Sequence, residues 1–368
     1  MPRFVLLLLI ALLAACTPRA ALVLAPDLVG ANVVRPVFVS TMRKAEAGTF
    51  GAQRAQTPTY ARYDIAVPPD REPGQISWPR GVPDPATQFL ARDIEIFGAA
   101  GAFRSDLRRA LLQRPSAQRE AIIYVHGFNN SFAEGVLRIT QLAHDFQFPG
   151  VAVHYSWPSA ANPLGYAYDR DSTLYARDGL EVLIGQVRAA GAERIVLVAH
   201  SVGSMLVMEA LRQKEIGTPG SVLRDIDGVI LISPDLDIDL FRTQARRIGT
   251  LPQPFGIFVS KRDRVLNLSA RLTGQRNRLG NVDRVDAVAD LNVTVIDVSE
   301  FSTGAGHFTA GSSAAVIRIF SSAGALDAAF RGDRAGHIGL FPGTVLTVQN
   351  ATAIILSPVT ALAGAAAQ

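Results

Sequence analysis

From residue 121 onward, short apolar runs rich in β-branched residues alternate with longer segments whose apolar positions recur at i, i+3 and i+4. The runs are residues 122–125, 151–155, 195–199, 229–232, 255–259 and 293–298, and their unbroken hydrophobicity is that of strands covered on both faces. Between them, residues 132–146, 168–190, 204–214, 236–248 and 264–272 read as helices. Strand and helix in strict alternation imply right-handed crossovers. The result is a mainly parallel sheet with helices on both faces and a ligand site at the carboxyl ends of its strands.

The first third is patterned differently. Residues 36–41, 61–67 and 89–97 are strand-like runs separated by Pro/Gly-rich stretches, which predicts an antiparallel edge to the sheet. Residues 105–113 have helical spacing and stop before Pro115. The organisation that follows is a leader over 1–16, a linker over 17–35, one α/β domain over 36–330 and an apolar extension over 331–368. After Arg334 the chain carries no Asp, Glu, Lys or Arg, but Pro342, Asn350 and Pro358 interrupt it, so no transmembrane helix is expected there. The extension is expected to pack on the domain, the alternative being that it lies against lipid.

The composition is 48% hydrophobic and 18% charged over 368 residues, ample for a buried core. The formal charge is only +4 and no Lys/Arg block is interleaved with aromatics, which argues against a nucleic-acid partner. The leader changes the picture more. Arg3 precedes an apolar run over 4–13, too short to span a bilayer, as in an export signal. It ends in Leu13-Ala14-Ala15-Cys16, which resembles the bacterial lipobox. Cys16 is the only cysteine of the chain. The resemblance implies lipidation of Cys16 and attachment to a membrane, and Thr17 rather than Asp after it implies the outer membrane, on the periplasmic side of the cell envelope. An ordinary cleaved signal, or a leader retained as an anchor, is the alternative.

The strongest chemical signal is Ala199-His200-Ser201-Val202-Gly203, between a predicted strand and a predicted helix. A serine on so tight a turn needs small residues two positions to either side, and Ala199 and Gly203 meet that need. The amino terminus of the next helix favours negative charge beside the hydroxyl. Ser201 is therefore the candidate nucleophile, against the plainer reading of a helix N-cap.

In this kind of fold the acid and the base follow the serine in the chain. Of the six histidines only His307 and His337 do so. His307 lies on the glycine-rich loop Gly304-Ala305-Gly306 just past the last predicted strand and is preferred as base. Asp263 directly follows the 255–259 strand and is the candidate acid. Asp235 is the alternative acid, and Lys261, Arg262 and Arg264 offer Asp263 a plain ion-pair role instead. Asp235, Asp237 and Asp239 resemble the start of a calcium loop. Leu240 stands where its glycine belongs and Arg246 where its glutamate belongs, so no metal is implied, and Asp235 is the expected N-cap of a helix.

The turn His126-Gly127-Phe128-Asn129-Asn130 follows the first core strand. Backbone N–H groups of Phe128 and Val202 are the expected oxyanion donors there. The stretch 122–130, Ser201 and its neighbours, Ser233-Pro234-Asp235, the Asp263 turn and Gly306-His307 together resemble a bacterial esterase/lipase-like α/β-hydrolase family of unknown function. The likeness spans roughly residues 35 to 320. Typical members carry Met where Val202 stands and often Ser where Phe308 stands; neither change removes a side chain that the chemistry uses. The resemblance implies an α/β-hydrolase fold and a serine-hydrolase triad.

Tyr155, Trp157, Pro158, Tyr166 and Tyr168 follow the second core strand and are expected either to line an acyl pocket or to anchor their loop. The expected activity is hydrolysis of a small acyl ester or lipid through an acyl-enzyme, with no cofactor. A non-catalytic envelope lipoprotein that uses the fold as a binding scaffold, and an envelope acyltransferase, are the alternatives.

Overall fold

A computed structural model describes residues 19–27, 32–46, 49–274, 278–282, 284–302, 304–321, 343–348 and 351–356. Cys16 and His337 lie outside the described residues.

The alternating half folds as its periodicity requires. Strands β4 (Glu120–Val125), β5 (Val151–Ser156), β6 (Arg194–His200), β7 (Gly228–Ile232), β8 (Phe255–Val259) and β9 (Thr294–Asp297) pair in parallel through the order β9-β8-β7-β6-β4-β5. Helices α2 (Phe132–Asp145), α3 (Tyr166–Ala189), α4 (Val202–Gly217), α6 (Ile238–Ile248) and α7 (Arg264–Leu272) connect them, with the short α5 (Ser221–Asp225) before β7; α1 (Ala100–Leu112) precedes β4. Ile123, Val125, Ala199, Leu197, Val229, Leu231 and Ile257 have no exposed surface, which is why these strands show no polar alternation. Ser131 and Glu134 close a capping box at the start of α2, fixing where the chain turns from the 126–130 loop into helix.

The amino-terminal edge is antiparallel as expected, but longer. Strand β1 (Val33–Glu46) runs parallel to β5 and pairs antiparallel with β2 (Thr49–Val67), which pairs with β3 (Leu90–Phe97). The register of β1 against β2 shifts on both sides of Arg43. The linker expected over 17–35 is corrected at residues 19–27: Ala20 is buried, and Val23 and Ala25 hydrogen-bond to Ala91 of β3. Leu22 packs against the core, so the apolar residues of this stretch have a sheet edge to cover. At the other end the apolar tail supplies a hairpin, β10 (Gly343–Val348) with β11 (Ala351–Leu356), and β11 adds to β9 in parallel. Ala351, Ile354 and Leu356 are buried there, so the extension adds the far edge of a sheet that has 11 strands among the described residues.

Candidate active site

Ser201 stands at the carboxyl end of β6, where strand passes to helix α4 without a spacer. Its backbone lies at φ 53°, ψ −126°, a conformation that costs energy for any side chain and points the hydroxyl out of the turn. Its side chain makes no N-cap bond to the helix, which sets aside the plainer reading. The turn is pressed against the neighbouring strand. A Cβ at Gly203 would meet the carbonyl oxygens of Val125 and His126, the former at 2.8 Å, so only glycine fits. One strand over, a Cβ at Gly127 would fall 2.8 Å from Ser201 Cβ, so the 126–130 turn touches the serine itself.

His307 arrives on the loop after β9. Its Nε2 lies 2.9 Å from Ser201 Oγ and its Nδ1 2.8 Å from Asp263 Oδ2. The loop is held by Arg264 N–H donating to Ala305 O, by Thr309 Oγ1 donating to Gly306 O, and by contacts among the hydroxyls of Ser260, Ser302 and Thr309. His200 Nε2 lies 3.2 Å from His307 O, and burial together with the neighbouring His307 holds the His200 ring well below the usual imidazole range. The His200 ring is thus neutral, with Nε2–H as the donor. Phe308 is held between the His200 edge and the Arg138 guanidinium, each 4.5 Å away.

Asp263 is fully buried and uses its two oxygens differently. Oδ1 accepts from the N–H groups of Val265 and Leu266 at 3.0 Å, capping α7, while Oδ2 meets His307. Two of the basic residues around it are engaged elsewhere, Lys261 with Asp297 and Arg262 with Glu300. Ser201 is 1% exposed and the His307 side chain 16%, so the reacting atoms are largely shielded from solvent.

Asp235, the alternative acid, is placed differently. It pairs with Arg278 at 3.2 Å, accepts from Ser269 Oγ at 2.8 Å and from Tyr166 OH at 2.9 Å. Nor is it the N-cap of α6; Asp237 is, accepting from Leu240 N–H. The aromatic residues after β5 take the second of the two roles expected for them, anchoring the chain rather than lining an acyl pocket. Tyr155 and Trp157 have no exposed surface, Tyr155 OH donating to Ala176 O and Trp157 Nε1 to His126 O while its ring stacks on His126 at 4.6 Å. Pro158 is buried as well. Tyr168 caps Ala52 O beneath the Arg54 guanidinium, so α3 claims Tyr155, the 126–130 turn claims Trp157 and the β1–β2 ribbon claims Tyr168. Only the half-buried Tyr166 borders the site, packing edge-on against Phe128 at 5.3 Å.

Sequence reasoning missed the supports of the 126–130 turn. Asn129 takes φ 57°, with its N–H on Asp169 Oδ2 at 3.0 Å. Arg43, 1% exposed, donates to Asn130 O at 2.8 Å, and burial pulls its guanidinium down to about 10. Arg19 reaches the turn from the amino-terminal segment, donating to Asn129 O at 2.9 Å and to Ala161 O at 2.6 Å.

A parallel sheet of this connectivity, with the hydroxyl of Ser201, the carboxylate of Asp263 and the imidazole of His307 converging at its carboxyl rim in that chain order, defines an α/β hydrolase. The family assignment agrees: residues 99–322, more than half of the chain, match the model of the alpha/beta hydrolase family of unknown function DUF900, and the chain belongs to it. Among solved structures, the chain is similar to a YdeN-like hydrolase of Pectobacterium atrosepticum, at 16% identity and TM-score 0.32, covering 61% of this chain and 95% of that one. It is also similar to the esterase Pf2001 of Pyrococcus furiosus, at 11% identity and TM-score 0.35, covering 86% and 99%. A monoacylglycerol lipase of Paleococcus ferrophilus is similar at 15% identity and TM-score 0.25, covering 49% and 73%. No curated protein matches the chain.

Proposed function

We propose that this hydrolase cleaves carboxylic esters through an acyl-enzyme on Ser201. The observation that carries the reading is the unbroken chain of hydrogen-bonding atoms from Asp263 Oδ2 through both nitrogens of His307 to Ser201 Oγ. His307 Nε2 takes the serine proton as Oγ attacks the carbonyl carbon, and the buried Asp263 holds the ring with Nδ1 protonated and stabilises its cationic form. The tetrahedral oxyanion is held by the N–H groups of Phe128 and Val202; as the first residue of α4, Val202 has no intrahelical acceptor for its N–H. Collapse expels the alkoxide, which leaves with the proton from His307 Nε2. Water, deprotonated by the same nitrogen, then attacks the acyl carbon and regenerates Ser201.

The substrate class is a small acyl ester or an ester lipid, and none of these steps calls for a cofactor. A membrane anchor on Cys16 fits the same reading, because Arg19, three residues further on, rests on Asn129 beside the site. The test is turnover of a p-nitrophenyl ester series from acetate to palmitate by the wild-type chain and by Ser201→Ala. Wild-type turnover with loss of about 10⁶-fold in the variant is expected. Equal rates in the two would overturn the reading.

A further inference from the structure

Arg43 is a fully buried charge that no step of the proposed reaction consumes. The register shifts on either side of it in β1 leave it with no exposed surface to speak of, and all its nitrogens find partners. Nε donates to Ser156 Oγ at 3.0 Å, Nη1 to Gly51 O and Ser159 O at 3.0 Å, and Nη2 to Asn130 O at 2.8 Å, with His126 Nε2 at 3.4 Å. Among the described residues no carboxylate lies within ion-pair distance of it. The charge opposite is Asp169, itself fully buried, which accepts from Asn129 N–H at 3.0 Å, Ala160 N–H at 2.6 Å and Ser159 Oγ at 2.6 Å.

The two charges therefore meet through the polypeptide. Ser159 gives its carbonyl to Arg43 and its hydroxyl to Asp169, while the 126–130 turn gives the Asn130 carbonyl to Arg43 and the Asn129 N–H to Asp169. A buried guanidinium and a buried carboxylate held apart are costly, and replacing such a pair by apolar groups often stabilises a fold, so stability alone does not account for them. What they fix is a strained segment: Asn129 has positive φ, and the residue before it is Phe128. Strained backbone persists where its surroundings over-determine it.

We propose that Arg43 and Asp169 are positioning residues for the oxyanion turn, gripping Asn130 O and Asn129 N–H with opposite charges so that the Phe128 N–H stays aimed at the substrate's carbonyl oxygen. This rests on the acyl-enzyme reading and adds to it the residues that hold the oxyanion donor in place.

The test compares oxygen esters with the matching thionoesters, because replacing the carbonyl oxygen by sulfur weakens the very hydrogen bonds that the turn supplies. In Asp169→Asn and Arg43→Lys, kcat on the oxoester is expected to fall about 10- to 100-fold with KM little changed, since an oxyanion donor is worth about 10²–10³ and is here misaimed rather than removed. The oxoester/thionoester ratio is expected to fall by a similar factor. Ser159→Ala, which deletes one bridging hydroxyl and keeps both charges, should give a smaller fall in the same ratio even if the charge variants do not fold. An oxoester/thionoester ratio equal to wild type in Ser159→Ala, or in a folded charge variant, would overturn the proposal whatever the absolute rates. A wild-type chain without serine-dependent ester turnover would instead count against the underlying reaction.

Discussion

Asp263 meets His307 Nδ1 through one carboxylate oxygen at 2.8 Å and holds the first turn of the following helix through the other. Orientation of the ring and capping of α7 are thus joined in one side chain, and substitution separates them. Asn keeps a capping oxygen but presents an amide to the imidazole and favours the wrong tautomer. Asp263→Asn should lower kcat by on the order of 10⁴-fold with thermal stability close to wild type. Asp263→Ala should lose activity similarly and in addition about 1 kcal/mol of stability, read as a lower unfolding midpoint in urea.

Asp235 is expected to behave in the opposite way. Its carboxylate faces Arg278, Ser269 and Tyr166. Removing it leaves Arg278 as a buried cation without its partner, a change that costs about 3–5 kcal/mol. Asp235→Ala should therefore unfold at clearly lower urea, while ester turnover per folded molecule stays close to wild type. Loss of turnover on the scale of Asp263→Asn would make Asp235 part of the reaction.

Gly203→Ala tests the elbow as a packing problem. The added methyl would lie against two backbone carbonyls of β4 and its continuation, neither of which has freedom to retreat. Overpacking of this kind costs about 1–3 kcal/mol, and any relief moves α4 and with it the Val202 N–H. Both the unfolding midpoint and kcat should fall. Ala199→Gly, on the strand side of Ser201, should leave kcat the less affected of the two.

Three buried imidazoles set the response to acid. Burial lowers His126 and His200 well below 6.5 and His154 to about 3, so all three are neutral in the folded chain. Each takes up a proton on unfolding once the pH is below its ordinary value of 6.5. The unfolded state then binds more protons, and stability is lost as pH falls below about 6.5, for His154 down to about 3, by up to about 1.4 kcal/mol per pH unit for a ring. His154→Gln removes one such proton without touching Ser201, His307 or Asp263. Urea midpoints measured from pH 7 to pH 4 should fall less steeply for it than for wild type.

How much of this was legible in the sequence depended on whether the cause was local. The six core strands announce themselves because burial on both faces leaves no polar positions, and Ser201 because its elbow demands small residues at fixed offsets. Chain order narrows the base to His307 and His337 and leaves Asp263 and Asp235 as acids, and only the folded loops decide between them. The first half of β2 was not legible: residues 49–60 mix Thr, Gln and Arg without alternation, and only pairing with β1 makes them a strand. The tail hairpin hides for a related reason, since an apolar stretch without charges has the same composition whether it lies on lipid or on a sheet edge. Arg43 and Asp169 carry no sequence signal of their role, because nothing near them in the chain marks a register shift or a buried partner. The aromatic residues after β5 left two roles open that the sequence could not separate. Tyr155 and Trp157 have the composition of a pocket wall but serve as packing and backbone caps.

The most direct measurement is to react the full chain with a fluorophosphonate, digest it, and locate the modified residue by mass spectrometry. A single adduct on the peptide carrying Ser201, absent from Ser201→Ala and strongly slowed in His307→Ala, is the predicted result. An adduct on any other residue, or equal labelling of wild type and Ser201→Ala, would contradict the account.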